Sequence, residues 1–195
     1  MSLTQRVMLT GHSFGAIVVS TAAHWLGGGQ LRGLTLAGGE PVERTNLTIG
    51  LISGAFDNDA LVPGYRYGQA TVAVEKMLIT RNRRDSALRI WKKVSCRDCP
   101  AIGITGLSAN RLGQYRDKLC QLTVTSDVHR SHFLGPHLNS PRLMAALCGL
   151  SFPPYQAGAV APLGNSRASV PGPRADNLQV AIPGPHGTVP HAMVE

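Results

Sequence analysis

Apolar residues in this chain fall into short runs separated by glycine, proline and polar clusters. Four runs carry the density of Val, Ile, Leu and Met expected of buried strands: Arg6–Thr10, Leu47–Ser53, Lys76–Thr80 and Leu119–Val124. Between and after them the apolar positions recur at helical spacing. The first such stretch, Ala16–Leu26, runs into Gly27-Gly28-Gly29, a helix stop. A second extends from about Tyr67 to Glu75, and a third from Asp85 to Lys93, where Ala87, Leu88 and Trp91 share a face. The last, Ser140–Cys148, has Ser140 suited to the cap, Pro141 to the first helical position and Gly149 to the stop. Strands alternating with helices predict an α/β fold, with about four mainly parallel strands covered on both faces. A loop through Gly38, Gly39 and Pro41 leads into the second strand, and no internal repeat is visible.

This alternation stops near residue 150. From Ser151 onward Pro153, Pro154, Pro162, Pro171, Pro173, Pro183, Pro185 and Pro190 alternate with glycine, alanine and polar residues. Such a segment cannot bury enough apolar surface to offset its ordering entropy. The pattern therefore predicts a globular domain over 1–150 and a disordered tail over 151–195, which removes His186 and His191 from the catalytic candidates. With 195 residues, 43% of them hydrophobic and only 5% aromatic, the chain has the means for one sizeable core. No apolar run approaches the roughly 20 residues that span a bilayer, and Met1–Gln5 shows no signal-peptide pattern. Cytoplasmic localisation is the default expectation, with no membrane association and with Cys96, Cys99, Cys120 and Cys148 reduced.

Charge changes the picture little. The net charge is +8, with basic residues scattered except for a denser patch at Arg81, Arg83, Arg84, Arg89, Lys92 and Lys93. No aromatic ladder or nucleic-acid motif accompanies the patch, so it reads as a solvated basic face and no nucleic-acid partner is expected. Cys96-Arg97-Asp98-Cys99 has metal or redox spacing but lacks a second pair of ligands, while Cys120 and Cys148 fall in a predicted strand and helix and read as core. No metal and no cofactor are expected.

The chemistry concentrates in Gly11-His12-Ser13-Phe14-Gly15. It lies between a predicted strand and a predicted helix, where a sharp turn would hold Ser13 in a strained conformation and bulkier flanking residues would clash. Alongside it stand the triple glycine, the stretch Asn82–Leu88, Ala101-Ile102-Gly103-Ile104-Thr105-Gly106 and Ser131-His132. Over roughly residues 6–150 these resemble the carboxyl-terminal half of an α/β-hydrolase, and more closely a group of uncharacterised bacterial hydrolase-like proteins.

That resemblance implies a serine nucleophile, then an acid, then a histidine in chain order. Ser13 takes the first role, and Asp85, just past the third strand, the second; Asp85 is also suited simply to cap the following helix. Asp57 is the rival acid, with Asp59 beside it after the second strand. His132 is preferred as the base because an apolar pair follows it, with His129 the alternative and His137 in the same run. His12 and His24 lie too close in sequence to Ser13 to serve. The backbone N–H of Phe14 supplies one oxyanion donor.

The resemblance implies an esterase-like hydrolase of small ester substrates. It also implies about four further strands before the elbow, one of which leads to the loop carrying the second oxyanion donor. Without them the elbow strand becomes an exposed sheet edge. The alternative is accordingly a non-catalytic half-domain that associates with itself through that edge.

Overall fold

A computed structural model describes residues 6–36, 46–95 and 99–151 of the chain. They all fall in the first of its two units, Met1–Tyr155. The predicted tail from Phe152, the Gly38–Pro41 loop and Cys96 lie outside the described residues. Strands β1 (Arg6–His12), β2 (Asn46–Ile52), β3 (Lys76–Arg81) and β4 (Leu119–Thr123) form one parallel sheet in the order β1-β2-β3-β4. The fold is α/β. The register runs Leu9↔Ile49 and Ile49↔Met77, and then Met77↔Leu119.

Strand period decides which face each side chain joins. Leu47, Ile49 and Leu51 of β2, with Met77 and Ile79 of β3, pack against Ala16, Val19 and Ala23 of α1 (Gly15–Leu26) and Ala70 of α2 (Gly68–Ala73). The alternate residues Ile52 and Leu78 point the other way. There they meet Val124, Val128 and, from the last helix, Leu143. Gly50 shares that face, and a Cβ on it would lie 3.2 Å from Leu147 Cδ2. Each fully buried Leu or Ile contributes about 1.5–3 kcal/mol, so the two middle strands dominate the core. β1 and β4 are the edges; β1 pairs only with β2 among the described residues and leaves Val7 42% exposed.

Shorter elements complete the fold: α3 (Trp91–Val94), α4 (Ile102–Thr105), α5 (Thr125–Val128), α6 (Leu134–Leu138) and α7 (Pro141–Ser151). The expected helix over 85–93 is a 3₁₀ turn, Leu88–Ile90, followed by the single turn of α3, because Asp85 stays below it as a buried cap. Two further 3₁₀ segments within Ala109–Lys118, broken by a kink at Gly113 (φ 55°), were not legible in their polar sequence. Ser140 caps α7 as expected, its Oγ accepting from Leu143 N–H at 3.2 Å. Gly149 does not stop that helix. A glycine in a helix costs only about 1 kcal/mol, and Leu150, packed on the Ile52–Leu143 cluster, carries the helix past it. Cys120 and Cys148 are exposed rather than core, the first because β4 is an edge strand, the second because it lies off the Leu143–Leu147 stripe. Among the described residues no helix is long and apolar enough to cross a membrane.

Candidate active site

In a parallel sheet all carboxyl ends lie along one margin, and the loops leaving them meet there. Here Ser13 follows β1, Ser53 follows β2, Asp85 follows β3 and His132 follows β4 by way of α5. The turn after β1 places Ser13 at φ 55°, a left-handed conformation that costs a non-glycine residue about 1–3 kcal/mol. Backbone bonds hold it there. Ser13 N–H donates to Ile52 O at 3.0 Å, and Ser13 O accepts from Ala16 N–H at 3.1 Å and Ala55 N–H at 3.2 Å. The two flanking glycines prove unequal: a Cβ on Gly11 would lie 2.4 Å from Gly15 O, whereas one on Gly15 would meet nothing within 4 Å. Only Gly11 is sterically required, because only its Cβ position points into the first turn of α1.

A hydrogen-bond chain leads away from the serine. Ser13 Oγ is 2.8 Å from His132 Nε2, and His132 Nδ1 is 2.8 Å from Asp85 Oδ2. The carboxylate accepts from Nδ1–H, so the network assigns the tautomer that leaves the Nε2 lone pair facing the serine hydroxyl. Asp85 is fully buried, and its other oxygen, Oδ1, accepts from Leu88 N–H at 3.0 Å. Capping and orienting thus fall to different oxygens of one carboxylate. His132 remains 21% exposed.

The rival residues are engaged elsewhere. Asp57 Oδ1 accepts from Trp91 Nε1–H at 3.0 Å and Ser95 Oγ–H at 2.9 Å, and Asp59 Oδ2 lies 3.9 Å from Cys99 Sγ. His129, exposed at φ 53°, caps α5 through its backbone and lines a cleft with four arginines. Phe14 is the first residue of the turn into α1. Ala16 and Ile17 N–H are taken by Ser13 O and Phe14 O, while Phe14 N–H has no backbone acceptor among the described residues. It sits at the positive end of the helix, where developing negative charge is favoured.

Three further residues support this arrangement, and sequence reasoning did not assign them roles. His12 Nε2–H donates to the carbonyl of His132 at 2.7 Å, pinning the backbone of the residue it was thought too near Ser13 to replace. Ser53, at φ 44° and fully buried, donates from Oγ to His137 Nε2 at 2.9 Å, while His137 Nδ1–H donates to Phe133 O at 2.9 Å. That buried pair ties the loop after His132 to the end of β2. The available signal was the crowding of His129, His132 and His137 in one loop, which suggested one functional histidine and concealed a structural one.

Burial pushes the His12 imidazole below its ordinary value of 6.5, the His132 carbonyl opposing this and the two neighbouring imidazoles adding to it. The folded chain therefore holds this proton less readily than the unfolded one. Its contribution to stability is present above about pH 6.5 and is lost as the pH falls from there towards the lowered folded value. Melting temperatures measured from neutral to mildly acidic pH are expected to fall less steeply in His12→Gln, which keeps an amide donor but does not titrate. An unchanged slope would exclude His12 as a source of acid sensitivity.

No protein-family model matches this chain, and no curated protein or solved structure matches it.

Proposed function

We propose that the chain is an esterase-like serine hydrolase of the α/β-hydrolase type, with Ser13 as nucleophile, His132 as general base and Asp85 as the group that orients and stabilises the imidazole. One observation carries the reading: a serine at φ 55° joined through two 2.8 Å hydrogen bonds to a buried carboxylate. In this scheme Ser13 Oγ attacks the ester carbonyl carbon as its proton passes to His132 Nε2. The tetrahedral oxyanion is met by Phe14 N–H. Collapse breaks the bond to the leaving alkoxide, which takes the proton from His132. Water then attacks the acyl-enzyme with His132 again as base, releasing the acid and restoring Ser13.

Phe14 N–H is the one oxyanion donor identified among the described residues, and a site with one donor turns over about 10²–10³ more slowly than a site with two. Covalent capture is for that reason the better test.

Labelling of the folded chain by a fluorophosphonate is expected, and its complete loss in Ser13→Ala. A folded chain that takes no label would overturn the reading. The second reading, a non-catalytic domain that associates with itself, would then stand on the position of β1, which is an edge strand among the described residues and leaves Val7 exposed.

A further inference from the structure

The basic patch seen in the sequence does not stay together in the fold. Arg81 turns aside, its Nη2–H donating to Thr123 Oγ1 at 3.0 Å. Arg83, Arg84 and Arg89 instead meet His129 and Arg130, which come from a loop at least 40 residues further along the chain, and the five side chains line a cleft of about 600 Å³. All five residues are exposed, and none of these arginines has a carboxylate within 4.0 Å among the described residues. The nearby acids are occupied. Asp85 is buried under His132, and Asp127 is held by Ser126, Ser140 and Arg142.

Guanidinium groups gathered in one concavity without counter-charges repel one another, and a cleft focuses their field on whatever enters it. The ligand that suits them best offers several anionic oxygens in a small volume, since each planar fork binds such oxygens in pairs. The scaffold beneath is well fixed. Ser86 N–H and Oγ–H both donate to Arg130 O, at 3.2 and 3.1 Å, and Arg83 N–H donates to Thr125 Oγ1 at 3.2 Å. The cleft therefore lies astride a seam between two loops that are already joined through their backbones, so little ordering is needed on binding.

We infer that this cleft is a binding site for a phosphorylated small molecule, gripped between Arg83 and Arg84 of one loop, Arg89 of the 3₁₀ turn that follows it, and Arg130 of the other loop. The inference goes beyond the hydrolase reading and does not depend on it, because neither Ser13 nor His132 lines the cleft. A concave site of this size fits a compact polyanion better than it fits the flat face of a membrane. Arg84 adjoins Asp85 and Arg130 stands two residues before His132, so a bound anion would clamp together the loops that hold both groups.

The test is calorimetric titration and thermal melting of the full chain with sodium pyrophosphate, at low and at physiological salt. Saturable one-site binding with a raised melting temperature is expected. The dissociation constant should weaken about tenfold for each arginine lost in Arg84→Gln and Arg130→Gln, one charge-assisted contact at a time. The charge-matched Arg6→Gln/Arg116→Gln double variant, whose residues lie outside the cleft, should stay within about twofold of the parent chain. A parallel titration with phosphatidylglycerol vesicles distinguishes a lipid headgroup from a free phosphate. Non-saturable binding, equal weakening in both sets of variants, or binding to vesicles alone would each overturn the proposal. The substituted side chains are exposed, so unchanged circular dichroism of the variants is expected and separates lost binding from lost folding.

Discussion

Asp85→Asn is expected to slow fluorophosphonate capture at Ser13 by about 10⁴-fold while leaving the chain folded, the magnitude being that of the corresponding change in Ser-His-Asp proteases. The asparagine carbonyl oxygen can still accept from Leu88 N–H, so the cap beneath the 3₁₀ turn is kept. The other end of the side chain changes character. An amide N–H₂ now faces His132 Nδ1 where a carboxylate oxygen stood at 2.8 Å. A donor there forces the imidazole to place its proton on Nε2, and Nε2–H then donates to Ser13 Oγ instead of accepting from it. The base is lost through its tautomer, with no cavity and no unpaired buried charge. The check is the labelling rate beside a urea unfolding curve. An Asn variant that labels at the parental rate would show that Asp85 is only a helix cap, whereas slow labelling in a chain that has also unfolded would be uninformative about tautomers and would direct the test to Asp85→Glu. In that variant the carboxylate is retained but displaced.

The second large effect is a contrast between two glycines four positions apart, on either side of one turn. Gly11→Ala should destabilise the chain by about 3 kcal/mol or more, since the new Cβ would lie 2.4 Å from Gly15 O, 2.5 Å from Gly15 C and 2.7 Å from Ala16 N. All three atoms are backbone, so no side chain can rotate away. Relief would require the strand to part from the helix, and with it the turn that holds Ser13 at φ 55°. Gly15→Ala should be neutral or stabilising by up to about 1 kcal/mol, because its Cβ meets nothing within 4 Å and alanine is the better helix former. Urea midpoints of the two variants measure both outcomes together. Equal tolerance at the two positions would mean that β1 and α1 do not meet at this angle.

These two cases show what a sequence pattern can carry. The Gly11–Gly15 motif is symmetrical as written, yet the two flanks face different surroundings. Symmetry on paper reflects the motif; the difference arises from where each Cα–Cβ vector points once strand and helix are packed. The same holds for the basic patch, contiguous as a run of residues but divided in the fold, with Arg81 on the β4 side and Arg130 recruited from elsewhere.

What the sequence determined by itself is local. The four strands, the helix that ends at Gly27, the Ser140-Pro141 start of α7 and the strand–turn–helix around Ser13 follow from apolar period, capping chemistry and the special freedom of glycine, all of which act over a few residues. Alternation of those elements was enough for an α/β sheet. Tertiary structure alone set where each of the alternative residues lies. Asp57 and Asp85 both follow strands, but the loop after β2 turns Asp57 towards Trp91 and Ser95, and the loop after β3 buries Asp85 beneath His132. His129 and His132 stand three residues apart, but a left-handed residue at 129 sends one ring to the arginines and the other to Ser13. Pairings of this kind join residues 47 and 119 positions apart. They depend on loop paths across the margin of the sheet, and no local propensity encodes them.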